Sequence, residues 1–254
     1  MPVILDGAAR YEGIDLQPEE FFQALAGGHT VSTSLPAPWD VIALWEQVLL
    51  ESDELVYIPM SSGLSSACST AMGLANEYAG RVFVVDNHRI SESLKSSVLD
   101  ALALREAGCG AREIQRELEA SAYDSIAYAG VETMEHLRRG GRISAAAQVA
   151  GSLLKIKPIL QSDEEGHIIQ HSKVRGQLKA METLAELYKE YAVDGTRTVG
   201  IAHADCPDGA LRLQAKLRDA GQTGEILSVC YEPVTGGHVG PGTVALFFFG
   251  EVWR

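Results

Sequence analysis

The chain has 254 residues, of which 46% are hydrophobic and 22% are charged. This composition is typical of a globular protein with one large domain or two modest ones, and it excludes a disordered chain. The 34 acidic residues outnumber the 21 basic ones, which gives a net charge of −13. Because nucleic acids and anionic membranes repel such a charge, we expect no nucleic-acid partner and at most transient contact with a membrane.

The cysteines and the first residues indicate the compartment. The four cysteines form no CxxC pair and no group with zinc-like spacing, so we expect reduced thiols and no metal site. The first residues do not have the basic and apolar regions of a signal peptide, and no window reaches 18 apolar residues. The sequence therefore predicts a cytoplasmic protein without a membrane span.

Short β-rich segments alternate with helical patterns in the first part of the chain. Strands are predicted at residues 55–58, 82–85 and 125–129. Helices are predicted at residues 65–78, 91–107, 111–121 and 131–138. Such alternation is typical of an α/β layer with a mainly parallel sheet.

The pattern changes near residue 154. A turn-forming run at residues 163–166 separates two β-rich segments, which predicts a hairpin. Helices at 177–192 and 208–220, with strands at 198–204, 225–230 and 243–249, complete an α+β pattern. We therefore predict an α/β protein with two domains, residues 1–154 and 155–254.

Two hydroxyl-rich segments could bind an anion. Thr33 lies in a Ser-Thr-Ser run before prolines that open a helix, and Ser62 and Ser65 flank Gly63 between a predicted strand and a predicted helix. Hydroxyls and free N–H groups at a helix start can donate to a carboxylate. The same residue types also serve as ordinary helix caps, so both interpretations stay open for each segment alone.

Two further segments combine glycines with a basic side chain. Arg142 follows two glycines in a stretch of three arginines, and His238 stands among four glycines before the last predicted strand. Glycine lets the backbone pass close to a ligand, but solvated arginines and a structural histidine are the alternatives. Room for a ligand tail, or for close helix packing, is expected beside the small residues Ala145, Ala146, Ala147 and Gly151.

Seven motifs, taken in order, resemble the DegV family of bacterial fatty-acid-binding proteins. They are Thr33-Ser34-x-Pro36, Ser61-Ser62-Gly63-Leu64-Ser65, Val84-Val85-Asp86, the L-R-R-G-G-R-I-S run at 137–144, the G-S-L-L-K-I-K-P-I-L run at 151–160, Lys173-Val174-Arg175, and the G-H-V-G-P-G run at 237–242. The resemblance covers nearly the whole chain. The block from Gly140 to Leu160 is its most specific part.

The resemblance implies two α/β domains that enclose one long-chain fatty acid, with no cofactor besides this ligand. Thr33 and Ser62 would bind the carboxylate, Ser65 is a nearby alternative, and His238 would complete the polar end. The resemblance further implies a carrier, not an enzyme. Such a carrier would present the carboxylate to a fatty acid kinase for formation of an acyl phosphate.

The resemblance also implies that Arg142 and Arg175 lie near the mouth of the pocket and act in the kinase encounter and on the acyl phosphate. A helix cap, or an ion pair with an acid such as Glu135, is the alternative for Arg142. The sequence departs from the family pattern at its start, where the usual first strand and Asp-Ser turn are missing. It also departs after Asp86, where the family favours Ser and a Gly-rich helix start.

An α/β enzyme is the alternative function. A hydrolase or a phosphotransferase could use the loop around Ser62 together with His238. The sequence shows no G-x-S-x-G elbow and no P-loop to favour it.

Overall fold

A computed structural model describes residues 1–143, 156–191 and 195–250 of the chain. The strands are β1 (Pro2–Leu5), β2 (Ala8–Tyr11), β3 (Val31–Thr33), β4 (Leu55–Tyr57), β5 (Val82–Val84), β6 (Ile126–Gly130), β7 (Ile156–Ser162), β8 (Ile168–Arg175), β9 (Val199–His203), β10 (Ile226–Cys230) and β11 (Val244–Phe248). The helices are α1 (Pro18–Ala26), α2 (Pro38–Leu49), α3 (Ala67–Ala75), α4 (Glu92–Glu106), α5 (Ala111–Ala120), α6 (Glu135–Gly140), α7 (Gln177–Tyr191), α8 (Pro207–Asp219) and α9 (Pro233–Val239).

The strands form three sheets. The first is antiparallel with the order β2-β1-β3, and the second is the parallel pair β4-β5. The third has the order β10-β9-β11-β6-β7-β8. In this third sheet β9 and β10 are parallel, and the other neighbouring pairs are antiparallel. The mixed α/β fold class predicted from the sequence is confirmed, with parallel pairing at β4-β5 and β9-β10.

Strand β6 connects the two halves of the chain. It precedes residue 154, yet its Tyr128 lies in register with Leu246 of β11 on one side and with Gln161 of β7 on the other. The six-stranded sheet therefore draws on both sides of the predicted domain boundary. The boundary itself, at residues 154 and 155, lies outside the described residues and stays a prediction.

The six-stranded sheet separates two apolar layers. Ile126 and Tyr128 of β6 face the larger core, where α7 and α8 pack. Ala127 and Ala129 alternate with them and face the opposite layer, which α1, α9 and β1 cover. Because side chains alternate between the two faces of a strand, the same strands build a filled core on one face and can leave space on the other.

A smaller core around Trp45 supports the parallel pair β4-β5. Trp45 of α2 is 1% exposed, and its ring packs edge-on against Tyr57 and Tyr78 with centroid distances of 5.3 and 5.5 Å. This core fixes the carboxyl ends of β4 and β5, which lie side by side. The serine loop (residues 61–66) follows β4, and the connecting segment 86–91 follows β5, so both project from the same edge.

Candidate functional site

A cavity lies between the six-stranded sheet and the segments that follow β4 and β5, and its empty space, including the part that is open to solvent, is about 800 Å³. Most of the residues that line it are apolar, and they include Met60, Leu64, Ile90, Leu160, Ile168 and Phe247. A lining of this kind suits a hydrocarbon chain.

The sheet forms one wall of the cavity from small side chains. Ala127 and Ala129 of β6 lie in register with Phe247 and Ala245 of β11, and all four line the cavity. An alanine projects only one methyl group from its strand. The three alanines therefore leave a groove over β6 and β11 that larger residues would fill.

A hydroxyl and an imidazole meet on the side of the cavity opposite the sheet. Thr33 ends β3, and its Oγ1 lies 2.8 Å from Nε2 of His238 on α9, although the two residues are 205 positions apart. Both residues line the cavity. Burial lowers the pKa of His238 to about 4, and the nearby cation of Arg142 contributes to this shift. The imidazole is therefore neutral at pH 7.

Arg142 adds a cation beside this pair. Its Nη1 donates to the carbonyl oxygen of Gly140 at 2.6 Å, and its Nε donates to the carbonyl oxygen of Leu64 at 3.2 Å. The guanidinium lines the cavity and links α6 to the serine loop. An anion bound next to His238 would therefore lie close to a positive charge.

Three of the four hydroxyls of the serine loop lie in different surroundings. Ser65 is buried and lines the cavity, and its Oγ accepts a hydrogen bond from the N–H of Ala67 at 3.2 Å. Its own proton can be donated to a ligand. Ser61 is also buried, and its Oγ donates to the carbonyl oxygen of Gly166 at 3.1 Å. Ser62 is exposed, and its N–H donates to Asp86.

Four polar side chains described above thus line a mainly apolar cavity, which Ser91, Gln161 and Thr235 also line. Thr33 and Ser65 supply hydroxyl donors, His238 a neutral imidazole and Arg142 a positive charge. Donors and a cation suit a carboxylate, whereas the apolar remainder suits a hydrocarbon tail. No group of three or more His, Cys, Asp or Glu that could hold a metal ion occurs within residues 1–143, 156–191 and 195–250. In the same residues, no helix has the length and apolar character that crossing a membrane requires.

The comparisons with known proteins agree with this geometry. The sequence model of one family, described as "Uncharacterised protein, DegV family", matches residues 1–251. The chain belongs to the DegV family. A DegV domain-containing protein of Streptococcus pneumoniae is 31% identical to it over 253 residues, which cover 97% of this chain and 88% of the relative.

Solved DegV structures share the fold. The fatty acid binding DegV family protein of Streptococcus agalactiae superposes with a TM-score of 0.90 at 28% identity, covering 98% of this chain and 89% of the other. A DegV family protein of Thermus thermophilus, described by its fatty acid binding, gives a TM-score of 0.89 at 29% identity, with 98% and 90% covered. The resemblance to the DegV family inferred from the sequence is therefore confirmed.

The structure brings together four of the six residues that the sequence singled out. Thr33, Ser65, His238 and Arg142 line one cavity. Ser62 is exposed and is not part of the lining, so Ser65 is the hydroxyl of the serine loop that meets the cavity. Whether any of these side chains binds a ligand stays a prediction.

Arg175 lies apart from this group. It is exposed at the end of β8, whereas Ile168 at the start of the same strand lines the cavity. Arg175 is seven positions beyond Ile168, and a strand rises about 3.3 Å per residue, so these two residues lie roughly 23 Å apart. The position of Arg175 therefore does not support its predicted role at the mouth of the pocket.

Sequence reasoning missed several residues of the cavity. The wall that it expected at Ala145, Ala146, Ala147 and Gly151 lies outside the described residues. It overlooked Ala127 and Ala129, although the alternation of large and small residues along Ile-Ala-Tyr-Ala-Gly was a usable signal. It also overlooked Tyr231, which lines the cavity. Burial raises the pKa of Tyr231, so its hydroxyl stays protonated.

The geometry does not favour the alternative enzyme. A serine nucleophile needs a base within hydrogen-bond reach. His238 is bonded to Thr33, and the exposed Ser62 lies outside the cavity that His238 lines.

Proposed function

We propose that this chain binds one long-chain fatty acid in the cavity and holds its carboxylate beside Thr33, Ser65 and His238. The observation that carries the proposal is the junction of a mainly apolar cavity with a hydroxyl–imidazole pair. Related DegV structures at 28–29% identity are described as fatty acid binding, which agrees with this assignment.

The tail supplies most of the binding free energy. Burying about fourteen methylene groups at roughly 0.8 kcal/mol each contributes on the order of 11 kcal/mol before costs. The loss of translational and conformational freedom removes a large part of this gain. The polar end then fixes which way the ligand points. A fatty acid bound the other way round would lose the hydrogen bonds between its carboxylate and these side chains.

The carboxylate end points toward a partner. A carrier that holds the tail and keeps the carboxylate beside donors can present it to a fatty acid kinase, which would form the acyl phosphate. Arg142, next to His238, would stabilise the growing negative charge of that group. Arg175, exposed on the edge strand β8, would act by contact with the kinase and not at the cavity. Such a carrier would work in the cytoplasm, where the kinase finds ATP.

The first experiment identifies the ligand. The purified protein is extracted with organic solvent, and the extract is analysed by mass spectrometry. Fatty acid in stoichiometric amount supports the proposal. Its absence, together with no saturable binding of added long-chain fatty acid, would reject it.

The second experiment tests the polar end. Thr33→Val removes the hydroxyl that meets His238 and keeps the shape, so we expect fatty-acid affinity to fall roughly tenfold or more. Thr33→Ser is the matched control, since it keeps the hydroxyl. Ser65→Ala should weaken binding to a similar degree, whereas Ser62→Ala should not, because Ser62 faces solvent. Equal affinity in Thr33→Val and the wild type would remove Thr33 from the site.

A further inference from the structure

Helices α6 and α9 interlock through two reciprocal contacts of a histidine on a glycine. The imidazole of His238 on α9 lies so close to Gly140 of α6 that a Cβ at this glycine would overlap its Nδ1. In the same way, the imidazole of His136 on α6 lies against Gly240, the residue after α9, where a Cβ would overlap the ring. Each helix thus supplies one ring and receives the other.

Gly140 is also the point where the polar groups of the cavity connect. Its carbonyl oxygen accepts the 2.6 Å hydrogen bond from Arg142, which reaches on to the carbonyl oxygen of Leu64 in the serine loop. Its missing side chain admits His238, whose Nε2 meets Thr33. One backbone position therefore touches both the imidazole and the guanidinium.

His136 is held in place by its own helix. Its Nδ1 lies 2.9 Å from a guanidinium nitrogen of Arg139, so this nitrogen accepts the hydrogen bond. Burial lowers the pKa of His136, and the cation of Arg139 contributes. The ring is neutral at pH 7 and lies with its Cδ2 nearest to Gly240.

We propose that Gly140, His136 and Gly240 are positioning residues that set the orientation of the His238 imidazole. This inference rests on the proposed function of the cavity. The ring of His238 can turn away from Thr33 unless its Nδ1 side is confined. Gly140 confines that side by direct contact, and the His136–Gly240 contact fixes the end of α9 that carries His238.

Helix stability alone does not explain glycine at position 140. Gly140 ends a helix of six residues, and alanine is the better helix former at such a site. The space where a Cβ of residue 140 would stand is occupied by the imidazole of His238. Gly73 in α3 provides the contrast, because nothing lies within 4 Å of where its Cβ would stand.

The test compares Gly140→Ala with Gly73→Ala, the same change in another helix. Gly140→Ala should push His238 away from Thr33 and lower fatty-acid affinity about tenfold, whereas Gly73→Ala should keep wild-type affinity. In the ligand-free protein, the imidazole signals of His238 in nitrogen-15 NMR should shift in Gly140→Ala but not in Gly73→Ala. This readout does not depend on fatty-acid binding, so it separates a failure of the interlock from a failure of the proposed function.

A double-mutant cycle distinguishes positioning from a general structural role. In the His238→Ala background, Gly140→Ala should cause no further loss of affinity, because no ring remains to be displaced. His136→Ala introduces no clash and should weaken binding about threefold by loosening the end of α9. If Gly140→Ala fails to fold, the proposal is tested by the fatty-acid affinity of His136→Ala and by the imidazole NMR signals of His238 in that variant. Wild-type His238 signals in these variants, or additive losses in the cycle, would overturn the proposal.

Discussion

The two walls of the cavity are built in different ways. The sheet wall, formed by β6, β7 and β11, has its backbone fixed by hydrogen-bonded neighbours on both sides, and it contributes small side chains such as Ala127, Ala129 and Ala245. The covering wall, formed by the serine loop, segment 86–91, α6 and α9, has no continuous strand pairing among its described residues and is held by individual contacts, which include a backbone hydrogen bond from Ser61 to Arg89. The bond between Thr33 and His238 is another example.

The covering wall also contains strained backbone. No described residue of β6, β7 or β11 shows such strain. His88 and Ser91 adopt positive φ angles of 58° and 54°, which non-glycine residues rarely use. Ser91 lines the cavity. Strain of this kind persists only where the surrounding structure enforces it, and it is concentrated at functional segments. We infer that the sheet wall sets how much tail fits, while the covering wall supplies the chemistry and the access.

The largest expected effect is the pH dependence of stability that His238, in the covering wall, should cause. Because the pKa of His238 is about 4 in the native protein against 6.5 for an ordinary histidine, the unfolded chain binds more protons below pH 6.5. The ligand-free protein should therefore lose up to about 3 kcal/mol of unfolding free energy as the pH falls from 6.5 to 4. Urea unfolding at a series of pH values measures this loss.

His238→Gln provides the comparison for that series. Glutamine does not titrate, so the variant should lose less stability than the wild type over the same interval. Burial also lowers the pKa values of His136 and His203. Both histidines remain in the variant, so part of the dependence of unfolding free energy on pH should remain. Parallel curves for the two proteins would show that His238 is not the titrating group.

The next largest effect tests the sheet wall. Ala129→Leu adds three carbons to the groove over β6, so we expect it to displace about three methylene groups of the tail. At roughly 0.8 kcal/mol for each methylene, long-chain affinity should fall about 50-fold. Fatty acids that are several carbons shorter should bind nearly as well as they bind to the wild type. Isothermal titration with a series of chain lengths measures both.

Ala103→Leu is the matched control for this change. Ala103 is exposed on α4, so the same substitution there should leave the chain-length profile unaltered. If Ala129→Leu weakened short and long chains equally, the effect would come from disturbed packing and not from occupied tail space.

The fold was more predictable from the sequence than the site. The alternation of strands and helices predicted the α/β class, and the hairpin at residues 163–166 is present between β7 and β8. Helix α9 was not predicted, because the glycines in its sequence favour a loop. Its Gly236 and Gly237 pack against Phe22 and Phe21 of α1, so tertiary contacts outweigh the low helix propensity of glycine.

The serine loop shows why the site was only partly predictable. Sequence reasoning found the loop but favoured Ser62 over Ser65. Which hydroxyl faces the cavity depends on how the loop turns, and a distant contact fixes this turn. A Cβ on Gly63 would lie 2.6 Å from the carbonyl oxygen of Glu165, so the hairpin tip presses directly on the loop. No local sequence pattern records a contact between residues about 100 positions apart.

That contact suggests how the ligand enters. The hairpin tip at residues 163–166 touches the serine loop through Gly63 and through the bond from Ser61 to the carbonyl oxygen of Gly166. On either side of it, Ser65 and Ile168 line the cavity. A fatty acid that passes between the two walls there must separate these contacts.

The smallest expected effect is therefore kinetic. Ser61→Ala leaves the cavity lining unchanged but removes two hydrogen bonds, the one to the carbonyl oxygen of Gly166 and the one from the N–H of Gly63 within the serine loop, so the hairpin tip should separate from the loop more often. A net loss of about 1 kcal/mol corresponds to roughly fivefold faster release of bound fatty acid. Stopped-flow displacement of a fluorescent fatty acid measures the release rate. The control is Thr223→Val, which removes an exposed hydroxyl that donates to the carbonyl oxygen of Gly195, before the opposite edge strand β10. The rate should rise in Ser61→Ala only. An unchanged rate would mean that the ligand leaves by another route, and that the covering wall opens elsewhere than at its contact with the hairpin.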